Sequence, residues 1–332
     1  MILARDFPVA MTKREVAFNQ DLKAAKPADF IDTEFLFHWF RANSYEILGR
    51  ADEAGHGTKR LQTDRLLALP ISVPALSMQR RIASVLSAYD DLIENCQRRI
   101  KILEPMARAL YREWFVHFRF PGHENHPRVA SALGEIPEGW EVKELGGIAE
   151  DVRRNVSKGE TAEPTPYVGL EHIPRRCLAL DAWDITSELG SNKLEFRKDE
   201  ILFGKIRPYF HKVSVAPFNG ICSADTIVIR ALQPQHYAFV VGCVSSDAFV
   251  AEASATANGA KMPRANWDVL KRFLVVIPPQ GELADRFCAS FTAMIAQQQA
   301  LVFKIQNLRR TRDLLLPRLL SGQIALDELE AA

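Results

Sequence analysis

Residues 80–115 read RRIASVLSAYDDLIENCQRRIKILEPMARALYREWF. Within them Ile82, Leu86, Tyr89, Ile93, Cys96, Ile100, Leu103, Ala107, Leu110 and Trp114 follow one another in alternating steps of four and three. That is a 3.5-residue repeat, the seam of a coiled coil. Asp90, Asp91, Glu94, Arg98, Arg99 and Lys101 fill the other faces, as a helix with one buried stripe requires. Shifted by 205 residues, the same steps recur at Phe287, Phe291, Met294, Gln298, Leu301, Ile305, Leu308, Arg312, Leu315 and Leu319. Each copy is a rod of roughly 50–60 Å at about 1.5 Å per residue. An apolar stripe of that length needs a partner, and the other copy is the simplest one, so the two are expected to pair antiparallel. Pro105 takes one backbone bond from Lys101 and predicts a kink in the first rod.

The repeat extends upstream. GTKRLQTDRLLALPISVP at 57–74 parallels GAKMPRANWDVLKRFLVVIPP at 259–279, so the unit is a basic Gly-x-Lys loop, a short helix, an apolar strand ending in proline, and a rod. RFPGHENHPRVASALGEIPEGW, 119–140, has no period and predicts an extended connection. From about 140 to 279, runs such as YVGL, EILFGKI, KVSVAPF and DTIVIRAL predict strands, with helices at 235–254 and 265–272. The fold class is therefore α+β: mixed α/β globules joined by two long helices.

Composition excludes some partners and leaves others open. Forty-two basic and 41 acidic side chains leave a net charge of +1, so any nucleic-acid surface must come from local segregation of charge. Cys96, Cys177, Cys222, Cys243 and Cys288 are scattered, with no CxxC pair, which fits a reducing cytoplasm. No apolar run reaches the length of a membrane span or a signal peptide, and no metal-ligand spacing stands out. VIPPQG lacks the acidic or amide residue and the aromatic that flank the prolines of adenine methyltransferases; GHGTKR lacks P-loop spacing. Asp199, Glu200 and Lys205 only loosely imitate a nuclease, and HENH at 123–126 lacks the spacing of zinc enzymes. Neither cofactor nor catalysis is expected.

Phosphate affinity needs Lys and Arg, and base reading needs side chains of fixed donor geometry. The candidates are Lys205, Arg207, His211 and Lys212 in GKIRPYFHK, Lys261 and Arg264 in NGAKMPR, and Arg153, Arg154 and Lys158 in RRNVSKG. Arg207 and Arg264 suit guanine, which a guanidinium binds in bidentate fashion. Gly204 and Gly259 are expected to let backbone approach phosphate. Arg175 and Arg176, beside Cys177, rank after these. A solvated basic face accounts for each cluster equally well. Trp114 and Phe115 either cap the coil or form a partner-docking patch.

LPISVPALSMQRRIASVLSAYDDLIENCQRRIKILEPMARALYREWFVHF (69–118), GEIPEGWEVKELGGI (134–148), DEILFGKIRPYFHKV (199–213) and LLLPRLLSGQI (314–324) together resemble the specificity subunit of type I restriction–modification systems. The resemblance covers nearly the whole chain. It implies two target-recognition domains, each reading half of a split double-stranded DNA sequence, held apart by an antiparallel coiled coil. It also implies that the coil docks methyltransferase subunits and, through them, the ATP-dependent restriction subunit. It raises Lys59 and Arg60, the first copy of the Lys261 loop, to DNA-binding candidates.

The expected division is a partial recognition domain over 1–75, the first long helix at 76–118, a linker at 119–136, a second recognition domain over 137–279, the second helix at 280–322 and a tail at 323–332. Aligned on Pro27 and Pro234, residue 1 falls opposite residue 208, so residues 1–75 read as the C-terminal half of a first domain. Self-association to complete that half, and a remnant scaffold that binds methyltransferase without selecting DNA, stay open. An autonomous nuclease is the reading furthest from the residues.

Overall fold

The computed structural model describes residues 2–3, 7–53 and 59–324. It divides into two units, Met1–Asn95 with Ile305–Ala332, and Cys96–Lys304.

In the first unit β1 (Ile2–Leu3), β2 (Asp52–Glu53) and β3 (Lys59–Arg60) form a small sheet in the order β1-β3-β2. Three helices, α1 (Thr33–Ala42), α2 (Ser44–Gly49) and α3 (Thr63–Leu67), precede the long α4 (Leu76–Tyr111). The Asp32 carboxylate starts α1 by accepting from the N–H groups of Glu34 and Phe35 at 3.0 and 3.1 Å. Buried Gln79 accepts from Asp32 N–H at 2.8 Å and donates to the carbonyls of Phe30 and Pro74, each at 2.9 Å, tying the entry of α1 to that of α4. Phe35, Ile82, Leu86, Leu316 and Leu319 share one core.

The second unit holds the larger globule. β4 (Arg128–Ser131) and β5 (Gly134–Pro137) form a hairpin, so the stretch without a period is not an extended connection. The sequence gives no period there because β4 lies almost wholly in solvent and β5 buries only its end, Ile136 and Pro137. β6 (Glu141–Glu144), β7 (Ala149–Asp151), β8 (Arg154–Val156), β9 (Gly159–Val168), β10 (Asp184–Leu189), β11 (Lys193–Phe196), β12 (Ile201–Gly204), β13 (Val213–Val215), β14 (Gly220–Ser223) and β15 (Thr226–Ala231) follow. They build a four-stranded sheet, β13-β12-β15-β7, and a five-stranded one, β10-β9-β14-β11-β8. On β15, Ile227 and Ile229 join one core while Val228 joins the other, which is why the TIVI run is apolar without alternating. α5 (Tyr237–Val244), α6 (Asp247–Ala255) and α7 (Trp267–Leu270) precede β16 (Leu274–Ile277), which pairs with β6. Residues 71–74, the first-copy counterpart of β16, have no such partner among the described residues and stay irregular.

α8 (Glu282–Leu320) completes the chain. In the first unit the beginning of α4 meets the end of α8, where Arg312 bonds Asp90 at 2.5 Å. In the second the end of α4 meets the beginning of α8, where Phe115 stands edge-on to Phe287 at 4.5 Å. Both pairings are antiparallel. Every seam position is buried or half-buried, and Ile295, Val302 and Leu316 widen the stripe beside it, as 3.6 residues per turn drifts against a 3.5 repeat. α4 runs unbroken through Pro105, which lies on the solvent face, and changes pitch only at Arg112–Val116, a π-turn. That turn seats Phe115 among Trp140, Phe239 and Phe287, so it caps the coil rather than facing a partner. Among the described residues no single helix is long and apolar enough to cross a membrane.

Candidate nucleic-acid interface

Two basic loops far apart in sequence become neighbours in the second unit. The loop after β12 and the loop before α7 pair backbone to backbone: Ala265 N–H donates to Lys205 at 3.0 Å, Arg207 N–H to Pro263 at 2.8 Å, and Ile206 bridges Arg264. Segment 174–178 closes the other side, since Arg175 bridges Lys212 and Arg176 N–H donates to His211 at 2.8 Å. Lys205, Arg207, Lys212, Lys261 and Arg264 thus share one ridge with Arg175 and Arg176. Arg207 and His211 flank the 3₁₀ turn Pro208–Phe210, and both adopt the left-handed conformation, with φ of 51° and 53°. Arg176 does so too, at 54°. Each such residue costs of order 1 kcal/mol or more and persists only where its surroundings hold it.

What holds the turn comes from α4. Arg108 and His211 Nε2 converge on the Ser245 carbonyl at 2.6 and 2.9 Å. Arg108 also donates to Glu104 at 2.9 Å, and Glu104, 6% exposed, accepts from Leu178 N–H at 2.9 Å. Burial raises the Glu104 carboxyl above its ordinary value against the pull of Arg108. Burial, and then Arg108, depress the His211 imidazole. His211 is 2% exposed and faces inward, so it supports the loop rather than meeting DNA.

The basic side chains of the ridge fall into two groups. Lys205 is bonded to the Ala224 carbonyl, Lys212 to the Leu170 carbonyl, Arg264 to Asp225 and Arg176 to Asp247. Burial, and then Arg175, lower the Lys212 ammonium below its ordinary value. Lys261 is exposed. Arg175 lies over the Phe210 ring at 4.0 Å, and Arg207 lies 5.9 Å from the same ring. Tyr209 beside them is 55% exposed.

The glycines serve the fold. A Cβ on Gly204 would stand 3.1 Å from the Lys212 Cβ, and Gly259, at φ +108°, makes the turn that returns Arg264 to Asn258. Arg153 and Arg154 lie elsewhere, around β8. Arg153 pairs with Asp151 at 2.7 Å, and Arg154 with Glu200 and, at 3.5 Å, with Glu195. Lys158 is exposed near them. Lys59 and Arg60 lie on β3, and their side chains fall outside the described residues.

Asp199 accepts from Gln299, Glu200 from Arg154, and Lys205 donates to Ala224, so the loose nuclease set is dispersed into three separate pairings. His123 and His126 donate to the carbonyls of Phe120 and Glu138, closing a turn. All five cysteines are free. The sequence singled out the two main loops, ranked Arg175 after them and gave no sign of Glu104 and Arg108. Arg175 owes its position to a ring 35 residues away, while a Glu–Arg pair four apart on a helix reads as surface.

The chain is 27% identical to the specificity subunit of the MjaIX type I restriction enzyme of Methanocaldococcus jannaschii, over 97% of this chain and 76% of that one. It is 26% identical to the specificity subunit of the EcoDI type I restriction enzyme of Escherichia coli, over 76% of this chain and 60% of that one. A family model, the type I restriction modification DNA specificity domain, matches residues 5–104, on the first copy of the repeat. The fold resembles that of the S subunit of the type I restriction–modification system of M. genitalium, with a TM-score of 0.53 at 15% identity over 87% of this chain and 73% of that one.

Proposed function

We propose that the chain is a specificity subunit of a type I restriction–modification system, the non-catalytic subunit that selects the DNA target, on the strength of its similarity to such subunits along nearly its whole length. Its second unit reads one half of a bipartite duplex site through the ridge of Lys205, Arg207, Lys212, Lys261 and Arg264. Lys59 and Arg60 are the corresponding pair in the first unit. Its paired helices dock methyltransferase subunits, which carry the cofactor chemistry and bring in the ATP-dependent restriction subunit.

The observation that supports this most is the pairing of residues 205–207 with 263–265. It unites two basic loops that are each exposed, strained or glycine-dependent, on a scaffold whose own charge is near neutral. Local segregation of this kind is the electrostatic footprint of a phosphate-binding face.

The test is enrichment of a randomised duplex pool by the full chain bound to its methyltransferase, read by sequencing at two salt concentrations. A two-part motif with a fixed gap, bound more weakly at higher salt, is the expected result. Co-purification with the methyltransferase but no enriched motif identifies a scaffold instead. Magnesium-dependent cleavage by the isolated chain would replace both readings with a nuclease.

A further inference from the structure

Building on the reading above, we infer that Arg175 is a specificity-determining residue, that it reads guanine alongside Arg207, and that the half-site of the second unit contains this base. The Phe210 ring carries both guanidinium groups, at 4.0 and 5.9 Å. No acceptor among the described residues takes the N–H groups of either one. Of the five other cations on the ridge, Lys205 and Lys212 donate to backbone carbonyls, Arg176 and Arg264 pair with Asp247 and Asp225, and Lys261 is exposed. A guanidinium laid on a ring loses rotamer freedom but keeps its planar fork of donors, which matches O6 and N7 of guanine in the major groove.

The backbone is fixed to the same end. Of the five non-glycine residues with positive φ among the described residues, Arg176, Arg207 and His211 lie at this spot. Arg176 follows Arg175 directly, and its N–H donates to His211, so the two strained corners lock each other at 2.8 Å. A phosphate contact needs no such fixation, because a flexible lysine on the surface supplies it equally well, as exposed Lys261 can. Directional reading of a base edge does need it. The exposed Tyr209 next to the pair adds an apolar face that can lie against a neighbouring base or thymine methyl.

The experiment enriches a randomised duplex pool with the full chain in complex with its methyltransferase, comparing wild type with Arg175→Lys and Arg175→Ala. Arg175 is exposed, so thermal unfolding of both variants should match wild type. The expected result is a wild-type motif with guanine in one half. In Arg175→Lys, preference for guanine at one position of that half falls roughly 5- to 100-fold. The other half and the salt dependence of non-specific binding should be unchanged. An unaltered motif in Arg175→Lys and Arg175→Ala overturns the assignment. So does an equal loss across all sequences in Arg175→Ala with a salt slope smaller by about one, the mark of a phosphate contact. A wild-type chain that enriches no motif overturns the proposed function itself, and this assignment with it.

Discussion

Arg108 joins α4 to His211 and the Ser245 carbonyl, and its worth can be measured. Removing it by Arg108→Met leaves Glu104 buried without its cation and the Ser245 carbonyl with His211 alone. Breaking one side of a buried pair costs about 3–5 kcal/mol. Glu104→Gln keeps an acceptor for Leu178 N–H and is expected to cost less, so chemical denaturation should rank the two variants in that order. His38 is the pH-sensitive group of the first unit. It is 1% exposed, its Nε2 lies 3.2 Å from Ser87 Oγ, and burial lowers its pKa from 6.5 to about 4. Below pH 6.5 the unfolded chain takes up a proton that the folded chain refuses until about pH 4, so stability falls as pH drops through that window. The loss approaches about 3 kcal/mol. Melting temperatures between pH 7.5 and 4.5 should fall, and His38→Gln should flatten that slope.

The helices were legible because their period is a local property. Each seam position from Ile82 to Leu319 carries its information in spacing alone, and burial of the whole set follows once a second stripe of equal length is present. Leu86→Ala and Phe291→Ala should each cost about 2–5 kcal/mol, with no loss of helicity by circular dichroism at low temperature. Pro105 behaves differently from its expectation because it lies on the wet side of α4, where water can bond the Lys101 carbonyl that proline leaves free. Pro105→Ala should therefore raise stability, by as much as about 3 kcal/mol. Strand pairing was less legible. YVGL, EILFGKI, KVSVAPF and DTIVIRAL announce strands by composition, but nothing local in them states that β14 runs parallel to β9 or that β16 takes β6, 130 residues away, as its partner. The hairpin at 128–137 was missed because its strands are four residues each and only Ile136 and Pro137 are buried, too few to impose a pattern.

For the whole chain the net charge of +1 is uninformative, and function depends on where the charges collect. If each unit reads its own half-site, substitutions on the second-unit ridge should alter one half of the target and leave the other half and the gap intact. Lys261→Ala should weaken binding to all sequences alike, lowering the salt slope by about one. Arg154→Ala should act through stability, since its guanidinium is held by Glu200 and Glu195. Its affinity for DNA, corrected for folded fraction, should match wild type in a filter-binding assay.

Spacing along the chain settled the two rods, their duplication and the loops that repeat with them, because helical period and repeat length are written in consecutive residues. It also supplied the candidate cations. Which of these cations point outward with donors unspent was decided by folding, since that depends on Asp225, Asp247, Leu170 and Ala224 arriving as acceptors from distant segments. Arg175 and Arg153 look alike on the page of the sequence. One lies on Phe210 with its donors free and the other is bound to Asp151, and only long-range packing separates them.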